Sequence, residues 1–145
     1  MKMRILLALL AAASALSAQS KLHLRVFTSG PGGFSVNSTL VYGDKDAILV
    51  DAQFVMSEAY RVAAMILESK KNLTTVYITH PHPDHYFGIA ALKQVFPKAK
   101  FVALPATVMG IRNGWKADSR TGRRSSAAIF PPPDPFCRMS CKEPR

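Results

Sequence analysis

Three of the four histidines in this chain lie within six positions of one another, in the segment ITHPHPDHYFG (78–88). His80, His82 and His85 share this segment with Asp84. Neutral imidazoles and carboxylates are good ligands for zinc and related divalent metals. The residue types and their H-x-H-x-D-H order therefore predict a metal-binding loop.

Two prolines restrict the backbone of this loop. Pro81 and Pro83 fix φ, remove backbone donors and are predicted to prevent a helix across the loop. Proline also favours an extended conformation in the residue before it. Because side chains two apart in an extended segment point the same way, the first two histidines can converge on one ion. Asp84 and His85 then begin a turn and can face a neighbouring position; alternatively, Asp84 only caps the next helix, which leaves the three histidines unexplained.

Three short segments before the loop have the apolar patterns of strands. They are joined by tight turns and are predicted to form a meander: 22–29, 34–43 and 46–52. Ser57 is then predicted to cap a helix that has Glu58 in its first turn. Four residues are predicted to form the apolar face of that helix: Tyr60, Ala63, Ala64 and Leu67.

The later elements alternate in type. A strand at 73–79 leads into the loop, a helix at 87–96 ends before Pro97, a strand follows at 100–104, and residues 106–112 are predicted to be helical. Strands followed by a strand–helix alternation indicate an α/β (α+β) fold. We therefore expect a mixed β-sheet with helices covering one face.

The segment THPHPDHYFG resembles the signature of the metallo-β-lactamase fold hydrolases, and the matching context covers roughly residues 22–112. The resemblance implies the first half of a metallo-β-lactamase-like αβ/βα sandwich. It also implies one or two metal ions at the sheet edge, usually zinc, although other divalent metals remain open. By resemblance, His80 and His82 would bind the first ion, and Asp84 and His85 the second.

The resemblance extends to the strand ILVDA, which ends in Asp51. This residue resembles the family's buried acid behind the histidine loop, and an outer carboxylate of that kind fixes ring orientation. The alternative is an ordinary turn residue at a strand end. The implied reaction is metal-assisted hydrolysis, in which Asp84 also acts as a catalytic residue by orienting the attacking water. The implied substrates are esters, lactones, thioesters or β-lactams, and the choice among them stays open.

The ligands that the family takes from the second half of its domain are missing, because no histidine follows His85. Asp118 and Asp134 lie in a segment without periodicity, and His23 lies in the first strand, where the family places no ligand. Two interpretations remain. In the first, the chain is a secreted metallohydrolase or a fragment of one that is poorly active alone. In the second, it is a non-catalytic polypeptide that has half of the fold and binds metal weakly at most. A sheet face left uncovered would favour self-association.

Residues 1–18 predict export. Lys2 and Arg4 precede a short apolar run, and small residues follow it, which is typical of a secretory signal peptide. The alternative is a buried N-terminal helix. The apolar run is too short to span a bilayer. We therefore expect a secreted or periplasmic protein with no membrane association after cleavage.

Residues 116–145 lack both helix and strand periodicity and hold five of the ten prolines and seven of the nineteen basic residues. This segment is either a disordered basic tail or the result of truncation or a change of reading frame, and the predicted domain is 19–115. Cys137 and Cys141 could form a disulfide or bind metal. The net charge of +10 is spread along the chain with few aromatic residues among the basic ones. This distribution favours a solvated basic surface over a nucleic-acid interface.

Overall fold

The computed structural model describes residues 21–121. The predicted signal segment and the residues Asp134, Cys137 and Cys141 lie outside the described residues. The described part contains a five-stranded sheet whose strands follow chain order: β1 (His23–Thr28), β2 (Asn37–Tyr42), β3 (Asp46–Val50), β4 (Asn72–Ile78) and β5 (Lys100–Ala103). Strands β1 to β3 are antiparallel, whereas β4 and β5 run parallel to β3. The predicted mixed sheet is confirmed.

In the described part of the chain, four helices accompany the sheet: α1 (Met56–Glu68), α2 (Pro83–Tyr86), α3 (Ile89–Val95) and α4 (Pro105–Thr121). A short 3-10 turn, Pro31–Gly33, connects β1 to β2. Parallel neighbours need a crossover connection, and α1 provides it between β3 and β4, while α2 and α3 provide it between β4 and β5. Within residues 21–121, no helix combines the length and apolar character that a bilayer crossing requires.

The two faces of the sheet have different environments. On the inner face, Leu40, Leu49 and Val76 are fully buried and lie side by side across β2, β3 and β4. They belong to one core cluster that also contains side chains from α1, α3 and α4. The helices therefore cover the inner face, and this packing fixes where the strand ends lie.

The outer face consists of the alternate positions of the same strands. Fourteen residues occupy it, and none of them is buried: Leu24, Val26, Thr28, Asn37, Thr39, Val41, Asp46, Ile48, Val50, Asn72, Thr75, Tyr77, Lys100 and Val102. No described element packs over this face.

Helix α1 differs from its prediction at its start and on its buried side. It begins at Met56 after Val55, and no side chain caps it, so the predicted cap by Ser57 is wrong. The buried stripe is Ala59, Val62, Ala63, Met65 and Ile66, whereas Tyr60, Ala64 and Leu67 are exposed. Two apolar stripes one residue apart share the helical spacing, and contact with the sheet selects one of them.

The histidine loop and the last helix also differ from their predictions. The prolines do not prevent a helix in the loop, because Pro83 occupies the first turn of α2, where its missing N–H is not needed. The predicted helix at 87–96 is shorter and runs from Ile89 to Val95. Helix α4 continues to Thr121, beyond the predicted end at residue 112 and into the predicted tail. The prolines that could end it lie only further along the chain.

Candidate metal centre

The carboxyl ends of two parallel neighbours bring the candidate residues together. Asp51 directly follows β3, and Thr79 and His80 directly follow β4. The backbone N–H of Asp51 donates to the carbonyl oxygen of Tyr77 at 2.9 Å, which continues the strand pairing past the end of β3. Residues far apart in sequence therefore meet at one edge of the sheet.

Asp51 is almost completely buried and its carboxylate receives three groups of the loop. The backbone N–H of Thr79 donates to Oδ1 at 2.9 Å, and the Thr79 hydroxyl donates to Oδ2 at 2.8 Å. The ring nitrogen Nδ1 of His85 lies 2.8 Å from Oδ2. This carboxylate thus has partners on both oxygens and holds the loop against the end of β3.

The same hydrogen bonds set the tautomers of two histidines. His85 Nδ1 faces a carboxylate oxygen, so this nitrogen carries the proton. The single hydroxyl hydrogen of Thr79 goes to Asp51, so Thr79 Oγ1 accepts from His80 Nδ1, which lies 2.9 Å away. In both rings the proton is then on Nδ1, and the Nε2 lone pair is available to a metal.

His85 Nε2 lies 3.4 Å from Oδ2 of Asp84. Because Nδ1 donates to Asp51, Nε2 presents a lone pair to the Asp84 oxygen, so the pair consists of two acceptors. Two ligands about 2.1 Å from a tetrahedral zinc ion are about 3.4 Å apart. The donor set and its spacing therefore fit a metal ion shared by Asp84 and His85.

The three histidine rings are neighbours. The ring centroids of His80 and His85 are 3.8 Å apart, and those of His80 and His82 are 4.8 Å apart. The backbone of His82 is extended, as expected before a proline. The structure thus brings together the four residues that the sequence singles out as metal ligands, and their ligand role stays a prediction.

His80 is electrostatically suited to bind a cation. Burial lowers the pKa of His80 below its ordinary value, and the nearby His85 and His82 lower it further against the opposing effect of Asp51 and Asp84. A lowered pKa keeps this imidazole neutral around pH 7. The neutral ring is the form that a metal binds.

A second grouping of donors shares two of these histidines. One ligand atom each from Asp51, His80 and His85 lies within 4.8 Å of the others. However, the Asp51 oxygens already accept hydrogen bonds from Thr79 and His85. If Asp51 bound a metal ion instead, those hydrogen bonds would be lost. These hydrogen bonds favour the supporting role of Asp51 that the sequence resemblance implies, and this role stays a prediction. His23 takes no part, since it lies on β1 and stacks on Tyr42 with ring centroids 5.3 Å apart.

Backbone contacts hold the loop from below. Asp51 and Gln53 have positive φ angles of 62° and 75°, and the turn that they form presents polar backbone groups to the loop. The N–H of Ala52 donates to the carbonyl of His85 at 2.7 Å, and the N–H of Gly88 donates to the carbonyl of Gln53 at 2.8 Å. Strained backbone of this kind concentrates at functional sites.

Two glycines allow this close packing. A Cβ at Gly88 would overlap the carbonyl oxygen of Ala52. A Cβ at Gly110 in α4 would lie 2.8 Å from ring carbons of Pro81, so α4 approaches the loop closely only because that residue is glycine. Sequence reasoning missed these two residues and Thr79. The sequence signal for Thr79 and Gly88 is position alone, Thr79 directly before the first histidine and Gly88 three residues after His85.

An open cavity of about 290 Å³ lies beside the candidate centre, lined by Phe34, Phe54, Pro83 and Asp84. The Phe34 and Phe54 rings meet edge to face with centroids 5.1 Å apart, and Phe54 stacks on Phe87 at 5.4 Å. The cavity therefore combines an apolar aromatic wall with one carboxylate of the predicted metal site.

Comparison with known proteins agrees with this architecture. The family model of the metallo-β-lactamase superfamily matches residues 31–137, well over half of the chain. The chain belongs to the metallo-β-lactamase superfamily. The match runs past the predicted domain boundary at residue 115, and the predicted change of texture in the tail stays a prediction. A comparison with curated proteins finds no match.

Solved metallo-β-lactamases are structural neighbours of this superfamily member. The DIM-1 enzyme exposed to ceftazidime is 20% identical with a TM-score of 0.53, over 68% of this chain and 46% of that one. SMB-1 bound to 2-mercaptoethanesulfonate is 26% identical with a TM-score of 0.50, over 61% and 33%. FIM-1 from Pseudomonas aeruginosa in its mono-zinc form is 22% identical with a TM-score of 0.45, over 65% and 42%. The chain thus spans less than half the length of these neighbours.

Proposed function

We propose that this metallo-β-lactamase superfamily protein is a secreted, zinc-dependent hydrolase. The observation that carries the proposal is the arrangement around Asp51, which directs the proton of His80 and of His85 to Nδ1 and places Nε2 of His85 3.4 Å from Asp84. Neutral imidazoles and a carboxylate at this spacing are a zinc donor set. His80 and His82 would hold one ion, and Asp84 and His85 a second.

The residues of the chain divide the chemistry among them. A bound zinc ion would supply Lewis acidity toward the substrate oxygen and lower the pKa of a water molecule. The Asp84 carboxylate accepts a hydrogen bond from the attacking water and orients it. The aromatic wall of Phe34 and Phe54 would bind the apolar part of an ester, lactone, thioester or β-lactam. Asp51 keeps the His85 ring, and through Thr79 the His80 ring, in the orientation that binding requires.

Zinc binding by the full-length chain is the first test. Equilibrium dialysis of the wild type should give one to two zinc ions per chain. The His80→Ala, His82→Ala double variant should lose at least the first ion. His23→Ala is the matched control, since it removes a histidine that stacks on Tyr42 away from the loop, and it should bind zinc as the wild type does. Zinc binding that survives the double substitution would refute the assignment.

Hydrolysis is the second test. The zinc-loaded chain and a chelator-treated control are assayed on the four substrate classes, with Asp84→Asn as the variant. We expect weak turnover, lost in the variant and in the control, because the motif alone gives each ion only two protein ligands and a catalytic zinc normally has three. Zinc binding at normal stoichiometry with no turnover on any class would favour the alternative function, a non-catalytic half-fold that binds metal.

Export is proposed from the sequence of residues 1–18. Mass spectrometry of the protein recovered from outside the cytoplasm should find an N-terminus near residue 19. Recovery of the mature protein with Met1 intact would contradict this part of the proposal.

A further inference from the structure

Gln53 is a completely buried polar residue at the junction of three chain segments. It lies in the turn that follows β3, two residues after Asp51. Its side-chain Nε2 donates to the carbonyl oxygen of Val36 at 3.0 Å and to the hydroxyl oxygen of Ser38 at 2.9 Å. Its backbone carbonyl accepts from the N–H of Gly88, at the end of the histidine loop. One residue thus joins the start of β2, the turn after β3 and the histidine loop.

The orientation of the Gln53 carboxamide follows from what its neighbours can donate. The Ser38 hydroxyl gives its single hydrogen to the carbonyl oxygen of Asp51 at 2.8 Å, so its oxygen can only accept from Gln53. The Val36 carbonyl is also an acceptor. Both contacts therefore need the amide hydrogens, and a flipped carboxamide would place its oxygen against two acceptors.

This orientation leaves the other end of the carboxamide without a partner. Among residues 21–121, no hydrogen-bond donor reaches Oε1 of Gln53, although this oxygen is buried. A buried acceptor without a hydrogen bond is destabilising, and such groups are rare in native structures. An apolar side chain of the same length would avoid that cost. The stability of the core alone therefore does not account for a glutamine at this position.

The donated hydrogen bonds act on the residue that supports the histidines. Asp51 has a φ of 62°, which is unfavourable for a residue other than glycine. Its backbone is held from both sides, because its N–H donates to Tyr77 and its carbonyl accepts from Ser38. The bond from Gln53 fixes the Ser38 hydroxyl in that direction. In this backbone conformation the Asp51 carboxylate lies 2.8 Å from Nδ1 of His85.

We propose that Gln53 is a positioning residue for the candidate metal centre, because through Ser38 it holds Asp51 in the backbone conformation from which the carboxylate binds His85. Without the carboxamide, Asp51 would relax toward a negative φ, and its carboxylate would move away from Nδ1. His85 would then lose the hydrogen bond that keeps the proton off Nε2. Gln53 lies outside the predicted ligand set, and only its effect on zinc binding rests on the proposed function.

The tautomer of His85 in the metal-free, full-length chain is the first readout. NMR of isotope-labelled histidine at about pH 8, above the pKa of free histidine, distinguishes a ring nitrogen with a proton from one with a lone pair. Gln53→Met keeps the length of the side chain and removes both donors. The wild type should hold the proton on Nδ1, whereas Gln53→Met should show a mixture of both tautomers. No zinc is involved, so this result is independent of the proposed function.

Stability and zinc affinity are the second and third readouts. The acceptors that Gln53→Met leaves behind keep other partners, since the Val36 carbonyl also accepts from the N–H of Ser29 at 3.0 Å and Ser38 still donates to the Asp51 carbonyl. The urea midpoint should therefore change little. Zinc affinity should fall by about tenfold, the lower end of the loss that follows when a group that orients a metal ligand is removed.

Two further variants locate the effect. Gln94→Met makes the same substitution at an exposed glutamine, whose side chain accepts from the Tyr60 hydroxyl at 2.7 Å, and should leave the His85 tautomer and zinc affinity unchanged. Ser38→Ala interrupts the same route at its next step, and serves if Gln53→Met fails to fold. The double variant of Ser38 and Gln53 should be no worse than the more affected single variant, because both act through one contact.

The contrary results are distinct. A His85 ring that keeps its proton on Nδ1 in both Gln53→Met and Ser38→Ala overturns the proposal. So does an equal effect of Gln94→Met, or a fall in the urea midpoint with an unchanged tautomer, since Gln53 would then have a structural role alone. A wild type that binds no zinc, together with the tautomer change in Gln53→Met, refutes the proposed function and supports the positioning role.

Discussion

Ile48 and Leu49 are neighbours in β3, yet they belong to two different parts of the molecule. Leu49 is fully buried under the helices, whereas Ile48 is 43% exposed on the outer face. Both are large aliphatic residues, so composition does not distinguish them. Their difference follows from the two-residue period of a strand and from the position of the described helices on one side of the sheet. The inner face holds the fold and positions the candidate centre, while no described element packs over the outer face.

The largest expected effect comes from the inner face. Leu49→Ala leaves a cavity between β3 and the helices and should lower the free energy of unfolding by about 2–5 kcal/mol. Urea unfolding followed by circular dichroism measures this change at low protein concentration. Val76→Ala, on the adjacent strand, is a companion variant that should be destabilising in the same way. A loss below about 1 kcal/mol at both positions would mean that the helices do not cover this face.

Gly88→Ala tests the contact that joins the inner layer to the histidine loop. The added methyl group overlaps the carbonyl oxygen of Ala52, so the loop or the turn at 51–53 must move. We expect a loss of about 1–3 kcal/mol in unfolding free energy and weaker zinc binding. Gly114→Ala is the control, because a Cβ there meets nothing within 4 Å. Unchanged stability and zinc affinity in Gly88→Ala would show that the approach is looser than the structure places it.

Ile48→Ala tests the outer face with the smallest change in shape. The substitution should lower the free energy of unfolding by only about 0.5–1 kcal/mol, since the side chain is already half exposed. Urea unfolding at low protein concentration measures this loss. A cost as large as that of Leu49→Ala would mean that the described chain itself buries Ile48.

The contrast between the faces also explains which parts of the fold the sequence could predict. The five strands follow from local alternation and from turns, and strand–helix alternation after β3 indicates the mixed sheet. The buried side of α1 did not follow, because the stripe with Tyr60 and Leu67 has the same spacing as the buried stripe with Val62 and Ile66. Only contact with the sheet separates two stripes that are one residue apart.

The candidate centre divides in the same way. The three histidines and Asp84 are predictable because their chemistry is rare and their spacing is short. The partners that orient them are ordinary residues, and their roles depend on contacts made across the fold. Thr79 links Asp51 to His80 through its hydroxyl, and no local pattern marks a threonine for that role. The positive φ angle of Asp51 is likewise visible only in the structure.

The smallest expected effect is at the rim of the inner face, where Arg25 of β1 pairs with Glu68 at the end of α1 at 3.2 Å. Arg25 alternates with the outer-face residues Leu24 and Val26, so position alone would group it with the buried inner residues. Its side chain is 41% exposed and that of Glu68 is 65% exposed, so water screens the pair. Glu68→Gln should therefore change the free energy of unfolding by only a few tenths of a kcal/mol, with less change at high salt. Urea unfolding at two salt concentrations provides the measurement. A loss comparable to that of Leu49→Ala would mean that an exposed residue of the inner face contributes as much stability as a buried one. Burial of the side chain would then not explain the difference in stability between the two faces.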